Sequence, residues 1–183
     1  SPSRGLGDVY KRQALDIKKT YDKGWYSLGL AYKENGDIEN AMNSFKETVR
    51  LNSKYYKAHK SLGDIYIDTE EFDKAISSFQ KAIDVKPNYS FAYHSLGITY
   101  AKIENFEKSA EALSKAVEIA PKEHLSWFHL AEAYNKLGDC ESAKEAALES
   151  TDLKKNFGGG WFELGIAEYL SLIHISEPTR RTT

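Results

Sequence analysis

The sequence has little of several residue types that would define other classes of protein. It contains one cysteine, Cys140, which excludes an internal disulfide and a zinc cluster held by thiolates. No apolar run is long enough to cross a membrane, so membrane insertion is not expected. None of this fixes the compartment, for which the cytoplasm is only the default.

Arginine is the second scarcity. Between Ala14 and Tyr169 the chain has 20 basic and 25 acidic residues, a net charge of −5, and Arg50 is the one arginine among them. Arginine is the usual residue for bidentate contacts with phosphate, and a mildly acidic field repels a polyanion. A nucleic-acid partner is therefore not expected.

A period of 34 residues runs through what the chain does contain. It links Leu28, Leu62, Leu96, Leu130 and Leu164, and it links Tyr32, Tyr66, Tyr100 and Tyr134. Glycine or alanine follows each of these leucines, and an aromatic residue or histidine precedes it by three positions. The same step links Ala41, Ala75, Ser109 and Ala143, and then Phe45, Phe79, Leu113 and Ala147. A fixed period of this length predicts a solenoid of stacked units.

The order aromatic-x-x-Leu-Gly-x-x-Tyr, then Ala-x-x-x-Phe, then Ala and Pro, resembles the tetratricopeptide repeat. The resemblance implies an all-α fold, a right-handed α-solenoid of stacked antiparallel helix pairs with one pair per repeat. Amphipathic periodicity predicts first helices near residues 23–35, 57–69, 91–104 and 125–137. It predicts second helices near residues 38–51, 72–85, 106–119 and 140–153.

The two ends depart from the repeat pattern. They can be encoded by DNA strands that are reverse complements of each other, most clearly at residues 8–13 and 170–175. Proteins have no reason to encode such a mirror, so we interpret residues 1–13 and 170–183 as translated sequencing-adapter tails. Reading the native locus across both junctions would test this interpretation.

Between these tails the pattern predicts three parts. Residues 14–21 are the end of a truncated repeat, residues 22–157 are four complete repeats, and residues 158–169 are the first helix of a truncated fifth repeat. The chain is therefore expected to be an internal fragment of a longer protein. Its cut ends would expose apolar faces that a neighbouring repeat normally covers, so self-association through them is expected. Because apolar residues continue past Tyr169, helix is expected to extend through residues 170–175.

The recurring glycine of the first helix predicts a packing contact. Glycine in a helix interior costs up to about 1 kcal/mol against alanine. Its return at one phase therefore indicates a close approach between the two helices of a unit. The expected residues on the other side are Ala41, Ala75, Ser109 and Ala143. Leu96 and Tyr100 are expected among the most buried residues.

The resemblance also implies which residues face the concave groove of the solenoid. They lie two before, one after, five after and eight after the first-helix aromatic. The candidate binding residues at these positions are Tyr26, Leu30, Lys33, Lys57, Lys60, Asp64, Phe91, His94, Ile98, Leu125, Phe128 and Glu132. The row continues at Phe162 and Ile166. So many apolar residues favour a groove for a peptide. The open alternative is that the superhelix closes enough for these side chains to pack on each other or on missing repeats.

These positions predict a protein–protein interaction scaffold that binds a peptide or protein segment in the groove. Phe91 and Phe128 are the expected main anchors, and Lys33, Lys57 and Lys60 would suit an acidic flank in the ligand. Two alternatives stay open. One is the substrate-targeting arm of a larger enzyme, such as a glycosyltransferase or a kinase, and the other is a spacer that binds nothing.

Catalytic, metal and cofactor sites are not expected. No nucleophile–base constellation, phosphate loop or metal-ligand spacing occurs in the sequence. His94 and His129 lie at phases where they could approach each other. Two imidazoles without a carboxylate or thiolate make a poor metal site, so packing or surface roles are expected for both.

Overall fold

The fold is taken from a computed structural model of the protein, which describes residues 21–176, with side chains as far as Ile173. The N-terminal tail, the predicted end of a repeat at residues 14–20, and residues 177–183 lie outside the described residues. Within the described part there are nine α-helices and no strand. They are α1 Asp22–Glu34, α2 Ile38–Leu51, α3 Tyr56–Asp68, α4 Phe72–Val85, α5 Ser90–Lys102, α6 Phe106–Ile119, α7 His124–Leu137, α8 Cys140–Leu153 and α9 Gly158–Ser176.

The four second helices begin and end where the sequence predicts. Three of them start at a side-chain cap, in which the carboxylate or amide oxygen of Asp37, Asn105 or Asp139 accepts from the backbone N–H three residues later. The first helices begin one residue earlier than predicted. In three of these, α1, α3 and α5, the preceding residue is a tyrosine that makes no capping hydrogen bond, so the sequence marks their start less clearly.

The described residues from Tyr21 to Pro87 form one compact unit. Helix α1 packs with α2, α2 with α3, and α3 with α4, so the helix pairs stack in chain order. The buried core of the first pair continues into the second, through Leu28, Tyr32, Ala41, Phe45, Leu62 and Ile65. Each pair therefore buries its apolar face against the next, as a solenoid requires.

The described residues from Asn88 to Ser176 form a second compact unit. Helix α5 packs with α6, α6 with α7, α7 with α8, and α9 packs on both α7 and α8. Its core includes Leu113, Val117, Leu130, Ala131, Ala147 and Leu164. Helix α9 continues through residues 170–176, as the apolar run indicated. Within the described residues, no helix combines the length and the apolar character that crossing a bilayer requires.

The first-helix glycine does mark a close approach, but its predicted partner was wrong. A Cβ built on Gly29 would lie 2.6 Å from the Phe45 ring, and one on Gly63 would lie 2.5 Å from the Phe79 ring. Gly97 meets the Leu113 side chain in the same way, at 2.5 Å. The glycine therefore makes room for the large residue of the second helix, four positions after the small one.

The fourth repeat exchanges both partners of this contact. Ala131 stands where the other first helices have glycine, and Ala147 stands where the other second helices have phenylalanine or leucine. Both alanines are fully buried. A smaller residue on one helix is thus matched by a larger one on the other.

Of the two residues expected to be most buried, only Leu96 is, with 6% of its surface exposed. Tyr100 is half-buried, which corrects that expectation. Its ring lies below the ammonium of Lys108, 5.6 Å from the ring centroid, at the edge of the helix pair. The hydroxyl end of a tyrosine favours such a position, where it reaches solvent.

Candidate functional site

In the first unit, the predicted groove residue Tyr26 packs against other aromatic residues. Its ring centroid is 4.9 Å from that of Tyr55 and 5.6 Å from that of Phe45. Tyr26 is half-buried, whereas Leu30 on the same helix and Lys57 on α3 are exposed. Tyr26 therefore packs on residues outside the predicted groove positions.

A carboxylate joins two of the predicted lysines. Lys60 Nζ lies 2.8 Å from Asp64 Oδ2 on the same helix, and Lys33 Nζ on α1 lies 3.7 Å from the same oxygen. All three side chains are partly exposed, so the network adds little to stability. Two of the three lysines assigned to an acidic ligand flank thus already share an acidic partner.

In the second unit, two of the exposed apolar side chains are predicted groove residues that lie near each other. Phe91, in the first turn of α5, is 57% exposed, and Leu125, in the first turn of α7, is 38% exposed. Between them lies a cavity of ≈ 220 Å³. Its lining is Ser90, Phe91, His94, Ala120, Glu123, Leu125 and Ser126. Three predicted groove residues, Phe91, His94 and Leu125, therefore meet at one cavity.

Two histidines and a carboxylate lie deeper on the same helices. The rings of His94 and His129 are 5.4 Å apart, edge to face, as their phases suggested. His129 Nδ1 lies 3.2 Å from Glu132 Oε2, and this hydrogen bond lowers the pKa of Glu132 from its ordinary value. Across the described residues, no group of three or more ligating side chains is arranged to hold a metal ion.

The structure also brings together a serine and a histidine, which the sequence analysis did not foresee. Ser126 Oγ lies 2.8 Å from His94 Nδ1 and joins the starts of α7 and α5. Ser126 is 2% exposed, so its hydroxyl is almost fully enclosed in this contact. The contact therefore positions His94 at the cavity and does not indicate catalysis.

Phe128, the second predicted anchor, is half-buried. Its ring stands perpendicular to that of Phe157, with centroids 5.1 Å apart, and contacts His129 on its other side. Phe157 lies in the turn before α9, outside the positions that the predicted pattern covers. Ile98 is also half-buried, so Phe91 and Leu125 are the exposed apolar residues of this part of the groove row.

A buried carboxylate, that of Glu163, lies on α9. Asn135 Nδ2 donates to Glu163 Oε2 at 2.8 Å and to the Glu163 carbonyl at 3.0 Å, which ties α7 to α9. Glu163 is 6% exposed, and this burial raises its pKa above the ordinary value. The sequence analysis missed this pair, because serine or histidine occupies the position of Glu163 in the other repeats.

One further row of residues accounts for the cavity. The 34-residue step also links Tyr21, Tyr55, Tyr89, Glu123 and Phe157, each directly before or close to the start of a first helix. Tyr55 packs against Tyr26, and Phe157 packs against Phe128. Tyr26 and Phe128 are equivalent residues of the preceding first helices, each directly after the aromatic residue that lies three before the repeat leucine. Before α7 the corresponding position holds Glu123, which is not aromatic. The row is visible in the sequence, at positions outside the predicted helices.

Comparison with known proteins agrees with this architecture. The sequence family described as "Tetratricopeptide repeat" matches residues 22–55, 92–123 and 125–157, and the one described as "TPR repeat" matches residues 63–104. These matches cover more than half of the chain. A comparison with curated proteins finds no match.

Several solved structures share the fold. The crystal structure of MamA has a TM-score of 0.75 and 24% identity, over 81% of this chain and 86% of that one. MamA from Desulfovibrio magneticus RS-1 has the same score and identity, over 84% of this chain and 86% of that one. YrrB, described as "a TPR protein with an unusual peptide-binding site", has a TM-score of 0.78 and 16% identity, over 93% of this chain and 85% of that one. At these identities the likeness concerns the fold alone. The repeat positions, the helix pairs and the family matches together show that the chain belongs to the tetratricopeptide repeat family.

Proposed function

We propose that this chain is a protein-interaction scaffold that holds a peptide or protein segment in the groove lined by its first helices. The observation that carries the proposal is the pair Phe91 and Leu125, which stand exposed on either side of the cavity. Large exposed apolar groups around a concavity are typical of interaction sites. The fold shared with YrrB, a protein described by its peptide-binding site, supports the same conclusion.

The anchors in this proposal differ in part from those that the sequence suggested. Phe91 stays an anchor, because more than half of its surface is open to solvent. Leu125 takes the place of Phe128, because Phe128 already packs on Phe157. In the first unit, Lys57 is the one of the three candidate lysines without a salt bridge among the described residues, and its contact with a ligand stays a prediction.

The test is selection of a phage-displayed library of random dodecapeptides on the immobilised full chain, followed by affinity measurement with a synthetic form of the best peptide. We expect the double variant Phe91→Ala, Leu125→Ala to bind it at least ten-fold more weakly, since truncated anchors typically cost about 2 kcal/mol or more. The matched control is Leu148→Ala with Leu153→Ala. These leucines are 41% and 40% exposed and lie on the second helix α8.

Circular dichroism should first show that both double variants keep their helix content. Equal affinity of the wild type and the Phe91, Leu125 variant would contradict the proposal. So would a larger loss in the α8 control, because it would move the binding surface to the second helices.

A further inference from the structure

We propose that the cavity beside Glu123 is a seat for an aromatic side chain of the bound peptide, and that a lysine or arginine next to that aromatic residue contacts the Glu123 carboxylate. The inference rests on the proposed function and specifies the chemistry of the ligand. It follows from what neighbouring repeats of the same chain place in the equivalent space.

The comparison within the chain shows what fills such a space. Before α3, the Tyr55 ring packs on Tyr26, with centroids 4.9 Å apart. Before α9, the Phe157 ring packs on Phe128 at 5.1 Å, nearly perpendicular to it. In both places an aromatic ring from the turn before a first helix covers an aromatic residue of the preceding first helix.

Glu123 occupies this place before α7, and its side chain does not cover the site. The glutamate is 41% exposed, and its Oε1 is directed to its own helix, 3.4 Å from the Leu125 N–H. What remains is the cavity, lined by Phe91, Ala120 and Leu125 and also by His94 and Ser126. Phe91 packs edge to face on Tyr89, with ring centroids 5.8 Å apart, and is still 57% exposed.

Size and composition fit one aromatic side chain. Sites for drug-sized ligands measure about 300–1,000 Å³, and the cavity of ≈ 220 Å³ falls below that range. Its walls are mostly apolar, and the His94 imidazole offers an edge-to-face partner for a ring. A single aromatic residue supplied by a partner would therefore restore the packing that the neighbouring repeats have.

The charge of the surroundings favours a basic neighbour for that ring. Among the residues that line the cavity, Glu123 is the one acidic side chain. Residues 88–173 carry thirteen Asp and Glu against eight Lys and no Arg, an excess of five negative charges. Such a field attracts cationic segments and disfavours acidic ones.

The experiment fills the cavity with an aromatic side chain of the protein itself. In Glu123→Tyr the new ring would take the place that Tyr55 and Phe157 take in their repeats. Binding of the peptide selected above should fall at least ten-fold, while the helix content stays unchanged. Lys122→Tyr is the control, because it adds the same side chain one residue earlier, at an exposed position, and should leave the affinity unchanged.

A second variant separates charge from shape. Glu123→Gln keeps an acceptor for the start of α7 and leaves the seat open, so it should weaken binding by only a few-fold, and less at high salt. In the selected peptides we expect Phe, Tyr or Trp within two positions of Lys or Arg. Replacing the aromatic residue of the peptide by alanine should abolish measurable binding.

The outcomes distinguish this inference from the function on which it rests. If Phe91→Ala, Leu125→Ala weakens binding but Glu123→Tyr does not, the groove binds peptides and the aromatic seat is refuted. Selected peptides without an aromatic residue, or an unchanged affinity in Glu123→Gln, would overturn the ligand chemistry in the same way. If none of these variants changes the affinity, the proposed function itself fails.

Discussion

Gly63→Ala should destabilise the protein, although alanine is the better helix former. Propensity alone favours alanine in a helix interior by about 0.8–1.0 kcal/mol. At Gly63, however, the new Cβ would lie 2.5 Å from Cε1 and 2.7 Å from Cζ of the Phe79 ring. Phe79 is fully buried and cannot swing away. Overpacking typically costs about 1–3 kcal/mol, so the net loss should be about 1 kcal/mol in the free energy of unfolding.

The fourth repeat indicates how this loss can be reversed. There Ala131 faces Ala147, so an alanine on the first helix is tolerated when the large residue is absent. Phe79→Ala alone should cost about 3–5 kcal/mol, because it leaves a cavity in the core. In that background Gly63→Ala should become neutral or stabilising by up to about 1 kcal/mol. The coupling between the two sites is then about 2 kcal/mol.

Urea unfolding followed by far-UV circular dichroism would measure all four proteins of this cycle. Gly165→Ala is the matched control, because no atom lies within 4 Å of a Cβ built there, and it should stabilise the helix by propensity alone. If Gly63→Ala stabilises the wild type as much as Gly165→Ala does, the close approach carries no free energy and the packing argument is wrong.

Three further changes test other parts of the structure. Glu70 and Glu104 have φ of +59°, so Glu70→Gly or Glu104→Gly should raise the free energy of unfolding by about 0.5–1 kcal/mol in urea titrations; a loss would refute the strain. Burial raises the pKa of Glu163 in the folded state, so the folded state binds the carboxyl proton more tightly than the unfolded state does. The stability that this protonation contributes is therefore lost as pH rises through the folded pKa. Glu163→Gln should therefore be more stable than the wild type at neutral pH, with an advantage that disappears below the ordinary pKa of 4.5; a constant difference across the pH range would contradict this. Helix α9 exposes Phe162 by 66% and Tyr169 by 64%, so sedimentation velocity should show self-association that Phe162→Ser with Tyr169→Ser weakens, and a concentration-independent wild type would refute it.

The repeat period was sufficient to predict the helix pairs. The second helices were placed best, because Asp37, Asn105 and Asp139 mark their starts and a buried apolar face follows. The turns were less predictable. Gly36 and Gly138 adopt positive φ, as glycine permits, but Glu70 and Glu104 adopt nearly the same conformation without any sign in the sequence. There the packing of the two helices outweighs the local preference of the residue.

The candidate site was only partly predictable, because helix phase gives the direction of a side chain and not what covers it. Phe91 and Leu125 were assigned to the groove from their phase and are exposed in the structure. Phe128 has an equally suitable phase, yet a ring from the following turn, Phe157, covers it. The cavity arises from a residue in a turn, Glu123, and no argument from helix periodicity would reach it.

The most direct test of the account is to map where a selected peptide touches the chain. p-Benzoylphenylalanine in place of Leu125 would put a photoreactive ring beside the cavity, and the same residue in place of Leu148 would put one on the second helix α8. We expect the peptide to crosslink at position 125 and not at position 148. Crosslinking at position 148 alone would contradict the claim that the first helices form the binding surface.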